Sequence, residues 1–315
     1  MGRLANAVSY FQQHGLGPTL AFSTIKLRSA LARNDIGWRM AYELNPFVQS
    51  GSFLDYGKCS DRTWAELKQL PNLECREIQI DRTDYEAYVA RAEYARYSPY
   101  YEGGDSGNVT HRTEKLLQHY LSLQLLQVTD GDVYIDVASN TSPMKDIVRR
   151  LFGVESYSMD LVYEPGVHGD QIGCDAGATG LPDGFASKMS LHCAFEHFAY
   201  GSDMRFVREA GRILRPGGKV CIVPLYVMDH YCIRCDPTLE MDISIRDTEG
   251  ARIEYVRNYN VDFGRFYDAK RLQERILDNL GPLRATLYRF SNLSVFEPEE
   301  VYSNFALVLE QPTHN

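Results

Sequence analysis

From Thr113 to Pro224 the chain alternates stretches of helical period with short apolar runs, a succession that points to a parallel sheet with helical crossovers. TEKLLQHYLSLQLLQV repeats leucines at helical spacing and is halted by Thr-Asp-Gly. The strand-like run DVYIDV follows at once. A helix from about Ser142 to Phe152 has Pro143 in its first turn, where a missing N–H is harmless. ESYSMD, QIGCD and ASKMSLH read as strands, then SDMRFVREAGRIL as a helix, Arg-Pro-Gly-Gly as a turn and GKVCIVPLYV as a fifth strand. In that turn Pro216 stops the helix, and Gly217 and Gly218 supply permissive backbone for entry into the sheet. A helix from about Asp268 to Leu280 and the strands LRATLYRF and FALVLE complete an α/β reading of seven strands.

Residues 1–107 read as an N-terminal lid or accessory region, and 108–315 as the main domain with a cap insertion at 228–266. In the first region the spacing predicts a helix from Ile25 to Ala32, a helix TWAELKQL ended by Pro71, a strand CREIQI, and a helix DRTDYEAYVARAEYA capped by Asp81 or Asp84. The tract SPYYEGGDSGN is the expected hinge. In the insertion, Ile243 to Arg257 alternates around a Glu-Gly turn and predicts an antiparallel hairpin that caps a pocket.

A net charge of −9 without any basic run argues against a nucleic-acid partner. No 18 apolar residues run together and the N-terminus lacks a signal-peptide core, so the expectation is a cytoplasmic enzyme with no membrane partner, acting on a small molecule and with room for a homo-oligomer. Seven cysteines without framework spacing suit reduced thiols. Gly103 and Gly104 are not a phosphate loop, because no Lys-Ser or Lys-Thr follows.

In open parallel sheets, ligands bind outside the carboxyl ends of the strands. The residues there are Asp136 with VASNTSP, Asp160, Asp175, Leu191 to His197, and Pro224 to Tyr226. Three aspartates at successive strand ends stand where helix N-termini and backbone N–H groups converge. Asp160 also suits a cap, and Asp175 a turn before Gly177.

The order DVYIDVASN, MDL, CDAGATGLPDG, SLHCAFEHF, REAGRILRPGGKVCIVP resembles the class I S-adenosylmethionine-dependent methyltransferases over roughly residues 112 to 227. The resemblance implies a Rossmann-like, mostly parallel sheet with its last strand antiparallel. It also implies S-adenosyl-L-methionine as cofactor and methyl transfer to an oxygen or nitrogen of a small-molecule acceptor. On that basis Asp160 would accept from the ribose hydroxyls and Leu161 would pack on adenine. Asp175 would accept from the adenine amino group and Ala176 would offer its N–H to the ring. The loop after Asp136 would meet the methionine part, with His192 lining the same pocket. His197 would be the general base, oriented by Glu196, although both histidines also suit plain packing at a helix start. Tyr100, Tyr101, Tyr226 and His230 are the acceptor-pocket candidates.

Where the family carries a glycine-rich loop, this chain has Ala138, Asn140 and Ser142. Ala and Ser are small, and Asn tolerates left-handed backbone. A loop filled by these side chains implies the alternative of a degenerate relative with a non-catalytic binding or scaffolding role. A nicotinamide oxidoreductase is disfavoured, because a dinucleotide needs glycine-mediated approach to its pyrophosphate. Glu196, His197, His230, Cys232 and Cys235 are metal-type ligands, but Cys193 stands where a further carboxylate is needed and the Cys-x-x-Cys has no second pair, so no metal is expected.

Overall fold

Periods of two and 3.6 set the layers of this chain, described by a computed structural model at residues 48–49, 56–97, 112–235, 249–256, 259 and 261–313. The strands among these residues begin with β1 (Val48–Gln49), β2 (Leu73–Ile78), β3 (Val133–Val137), β4 (Glu155–His168), β5 (Gln171–Gly173) and β6 (Ala186–His192). They continue with β7 (Leu214–Val223), β8 (Cys232–Cys235), β9 (Arg252–Val256), β10 (Phe263–Phe266), β11 (Arg284–Phe290) and β12 (Phe305–Glu310). The helices are α1 (Asp61–Leu67), α2 (Arg82–Ala92), α3 (Arg112–Leu126), α4 (Met144–Phe152), α5 (Ser202–Ile213) and α6 (Ala269–Arg275).

Eight strands form one sheet in the order β2-β11-β12-β7-β6-β3-β4-β5. Every neighbouring pair is parallel except the two that β12 makes with β7 and β11. This is a Rossmann-like sheet, mostly parallel with its last strand antiparallel. The strand beyond the predicted seven is β2, which runs parallel to β11 from Leu73 opposite Ala285 to Ile78 opposite Phe290. Strand order reverses at β3, whose neighbours are β4 and β6, so the connections diverge there and open a crevice at the carboxyl ends.

Side chains alternate between two cores. Val220 and Ile222 of β7 pack with Phe206 and Ala210 of α5 and Leu272 of α6, whereas Cys221 and Val223 pack with Leu117 and Leu121 of α3 and Ile147 of α4. Burial on both faces explains why these strands read as continuous apolar runs. Asp81 caps α2, accepting from Thr83 N at 2.8 Å and Asp84 N at 3.2 Å. The helix predicted to reach Leu280 is capped by Asp268, ends at Arg275 and tightens into a 3-10 turn over Leu277–Asn279. Arg-Pro-Gly-Gly is a bulge inside β7 rather than a turn ahead of it: Leu214 already pairs with Ala186, and pairing resumes at Lys219 opposite Lys188. Gly217 there takes φ +78°, and a Cβ on Gly218 would lie 2.8 Å from the Arg215 carbonyl oxygen.

The chain divides into two compact units, residues 53–230 with 267–315, and 1–52 with 231–266. The sequence draws its boundary near residue 107, but α1, β2 and α2 lie in the larger unit, where β2 is hydrogen-bonded to β11. The smaller unit carries a sheet β1-β9-β8-β10, with β8 antiparallel to β10 and parallel to β9. Its buried Arg234 donates to the buried Glu254 at 2.9 Å. Cys232 and Cys235, an odd number of residues apart on one strand, fall on opposite faces and do not form a chelating pair. The first arm of the hairpin predicted at 243–257 lies outside the described residues, and β9 within its second arm pairs in parallel with β8 and β1. The helix predicted at 25–32, the hinge tract after Tyr97, Tyr100 and Tyr101 also lie outside them. None of the seven cysteines is in a disulfide, and among the described residues no helix is long and apolar enough to cross a membrane.

Candidate active site

The loop leaving β3 follows a glycine-like path without glycine. Ala138 and Asn140 stand at φ +53° and +44°, in the left-handed region that glycine enters most easily. Hydrogen bonds hold it there: Ser139 N donates to the Met159 carbonyl at 3.1 Å, Ser142 N to the Ser139 carbonyl at 2.7 Å, and Asn140 N to Asp160 Oδ2 at 2.7 Å. Ser142 Oγ accepts from Met144 N at the start of α4 at 3.2 Å.

Two cavities share Ala138 as a wall. The first, of about 290 Å³, is lined by Asp136, Asn140, Ser142, His192 and also Lys115 and His119 of α3. The second, of about 310 Å³, is lined by Asp160, Leu161, Asp175, Ala176, His197 and Arg205, among others.

The floor of the first cavity is rich in acceptors. Asp136 is 1% exposed, and its Oδ1 lies 3.3 Å from His192 Nδ1, off the line of a hydrogen bond. Asp136 Oδ2 and His192 Nδ1 are both buried with no hydrogen-bond partner among the described residues. Ser122 Oγ lies 2.8 Å from the His119 carbonyl oxygen and 2.9 Å from His192 Nε2. A ligand group carrying donors would satisfy the orphaned Asp136 oxygen, whose burial is otherwise unfavourable. Burial also holds the His119 imidazole well below the usual histidine range, with His192 and Lys115 adding to it. Cys193, at φ +50°, lines the same cavity and has its thiol pushed up by burial.

In the second cavity Asp160 accepts from Asn140 N on one oxygen and from Val162 N on the other, at 3.1 Å. Beyond Asp160, β4 doubles back, and Pro165 to His168 pair a second time with Gly173 to Gln171. A Cβ on Gly173 would lie 2.0 Å from the Glu164 carbonyl oxygen, so the return needs glycine there. The doubled strand leaves Leu161 73% exposed at the cavity rim and carries Tyr163, whose hydroxyl meets Ser139 Oγ at 3.1 Å and donates to the Asn140 carbonyl. Asp175 accepts from Gly177 N at 2.8 Å, as a turn aspartate does, and its other oxygen lies 3.3 Å from Arg205. His197 Nε2 lies 3.5 Å from Oε1 of Glu196, whose buried Oε2 has no hydrogen-bond partner.

Asp136, Ala138, Asn140, Ser142 and His192 thus converge on one cavity, and Asp160, Leu161, Asp175, Ala176 and His197 on the other. Tyr226 is buried against Tyr56 and Tyr302 and meets the cavity wall at the Cys193 sulfur, 3.5 Å from its hydroxyl. His230 is half-buried beside Asp229, which accepts from Ser60 N at 2.7 Å and Thr63 Oγ at 2.7 Å. Sequence reasoning missed Lys115, His119 and Ser122, although their spacing of four and three residues puts them on one face of α3. It also missed Arg205, which nothing local connects to Asp175.

No family model matches this chain, and no curated protein matches it. Solved structures do. A chain of the Haloferax volcanii complex between the Trm112 methyltransferase activator and a methyltransferase is 15% identical, over 74% of this chain and 98% of its own, with a TM-score of 0.42. The Burkholderia thailandensis 1,6-didemethyltoxoflavin-N1-methyltransferase, solved with S-adenosylhomocysteine, is 13% identical over 75% and 92%, at 0.39. The 4+2 cyclase SpnF is 13% identical over 76% and 99%, at 0.39.

Proposed function

We propose that the larger unit binds S-adenosyl-L-methionine across the two cavities and catalyses methyl transfer to an oxygen or nitrogen of a small molecule. One observation carries this reading. Two cavities meet at a left-handed loop at the switch point of a parallel sheet, with an orphaned carboxylate oxygen in one and two aspartates in the other. When bound, the cofactor supplies a methyl group activated on a sulfonium. Asp136 Oδ2 is the acceptor suited to its ammonium group. Each Asp160 oxygen keeps a lone pair beyond its backbone bond, which suits a ribose diol. Asp175 and Ala176 face the purine in this reading, Leu161 supplies apolar cover, and Arg205 fixes the Asp175 carboxylate. His197 shares a cavity with Asp160 and Asp175, so its role, with Glu196 behind it, is on the nucleoside side rather than as the base expected from sequence.

Calorimetric titration with S-adenosylhomocysteine tests the reading. Wild type is expected to bind. Asp160→Ala and Asp136→Asn are each expected to weaken binding about tenfold to a hundredfold, as loss of a charge-assisted hydrogen bond does. Absence of binding to wild type, or normal binding to Asp160→Ala, overturns the cofactor assignment. Binding without turnover of any acceptor would mark the non-catalytic alternative.

A further inference from the structure

We infer that the cavity between α1 and the paired strands β2 and β11 is a second binding site, built for a small organic carboxylate. The cavity, of about 670 Å³, is more than twice the volume of either cavity of the crevice and shares no lining residue with them. It therefore stands apart from the methyl-transfer reading.

Sheet register builds the site. β2 runs parallel to β11 with Glu77 opposite Arg289, and Trp64 of α1 donates from Nε1 to Glu77 Oε1 at 2.7 Å. The Arg289 guanidinium lies 5.5 Å from the centroid of the Trp64 ring, a stacking that fixes its plane. Of its five N–H donors it spends two, from Nη1 at 3.3 Å and Nη2 at 3.4 Å, on one oxygen of Asp61. Glu77 Oε1, 3.9 Å from Nη1, is beyond hydrogen-bond reach. Both Asp61 bonds are longer than the roughly 2.7–2.9 Å of a good charge-assisted bond. The Asp61 side chain is 94% exposed, and an exposed pair of this kind contributes little. Asp61 thus holds the guanidinium fork loosely, in the place that a ligand carboxylate would take with two parallel bonds.

Charge sets the ligand class. Lys58 and Lys68 also line the cavity, both exposed and without an ion-pair partner among the described residues. Lys68 Nζ lies 5.2 Å from the centroid of the Trp64 ring. Against these two lysines and Arg289 stand Asp61 and Glu77, which leaves one net positive charge in a chain whose net charge is −9. Burial pushes the Cys59 thiol up to about 11, so it adds no charge at neutral pH. A ligand with a single negative charge balances the lining, whereas a phosphate dianion overshoots and an amine meets repulsion. Phe290, Leu293 and Phe305 complete the wall and suit an apolar body.

Trp64 is itself the reporter. The other tryptophan of the chain is Trp38, so the Trp38→Phe variant emits from Trp64 alone. Its emission is followed in titrations with phenylacetate, phenylacetamide, phenethylamine and phenyl phosphate, and calorimetry on wild type gives each affinity independently. Phenylacetate should saturate, with phenylacetamide at least about tenfold weaker, as loss of charge-assisted bonds requires. Phenethylamine should give no saturable response. Arg289→Lys, which keeps the charge and loses the fork, should weaken phenylacetate about tenfold, and Lys68→Gln should weaken it less. Asp61→Asn should strengthen it severalfold, because it frees the fork, and a gain cannot come from damage to the fold. No saturable response to phenylacetate, equal affinity for the amide, or unchanged affinity in Arg289→Lys overturns the site. Should Arg289→Lys fail to fold, Asp61→Asn and Lys68→Gln decide, and unchanged affinity in both overturns it. Tighter binding of phenyl phosphate than of phenylacetate overturns the single-charge assignment. A response lost in Asp160→Ala would put the ligand in the crevice and overturn the site as well.

Discussion

Ala138 is the residue on which the crevice turns, because it walls both cavities while holding φ +53°. An alanine in the left-handed region is strained by roughly 1–2 kcal/mol, and glycine at the same place is not. Glycine also has more freedom to lose on folding, by roughly 0.5–1 kcal/mol. Ala138→Gly is therefore expected to raise stability by up to about 1 kcal/mol in urea denaturation with an unchanged m-value. A fall in stability would mean that the Cβ contributes packing worth more than the strain. This loop also marks the limit of what single residues disclosed. Asp136, Asp160 and Asp175 were legible because a strand end followed by polar residues puts a side chain in the crevice whatever the remote contacts. His119 was not, since it lines the first cavity only because α3 packs beside β6 and β7, an arrangement that no local spacing shows.

At the scale of elements, α5 and α6 are joined by a buried clamp. Asp203 is fully buried and accepts from Arg275 on both oxygens, at 2.7 and 2.8 Å, and from the Tyr267 hydroxyl at 2.8 Å. Removing one partner of such a pair strands the other charge, at a cost of about 3–5 kcal/mol. Asp203→Ala should lower the urea midpoint accordingly, and adding Arg275→Met should recover part of the loss. Equal loss in the single and double variants would show that the carboxylate acts through packing alone. The helices and strands around this clamp were readable from periodicity, whereas the clamp joins residues 72 apart and left no pattern. The same distinction accounts for β2. CREIQI reads as a strand anywhere, but only its pairing with β11 assigns it to the main sheet instead of a separate layer. The second half of β4 was unreadable because LVYEPGVH has turn residues, and its pairing depends on Gly173 admitting the Glu164 backbone.

For the larger unit as a whole, buried titrations predict that acid destabilises it in two stages. His119 is held below its ordinary 6.5, so below that pH the unfolded chain takes up a proton that the folded ring refuses. Stability present above about 6.5 is then lost as pH falls, with a slope near 1.4 kcal/mol per pH unit. The second stage comes from carboxylates. Arg212, by hydrogen bond, and then Thr179 hold Glu209 at about 2 against an ordinary 4.5, and its side chain is only 12% exposed. Its contribution is fully present above 4.5 and fades as pH falls toward 2, by about 3 kcal/mol at most. Asp170, held down by Lys145 and Arg149, acts in the same direction. Urea denaturation from pH 8 to pH 3 should therefore show stability falling first below about 6.5 and more steeply below about 4.5. His119→Gln should flatten the upper stage alone and Glu209→Gln only the lower. An upper stage that persists in His119→Gln would show that another group takes the proton.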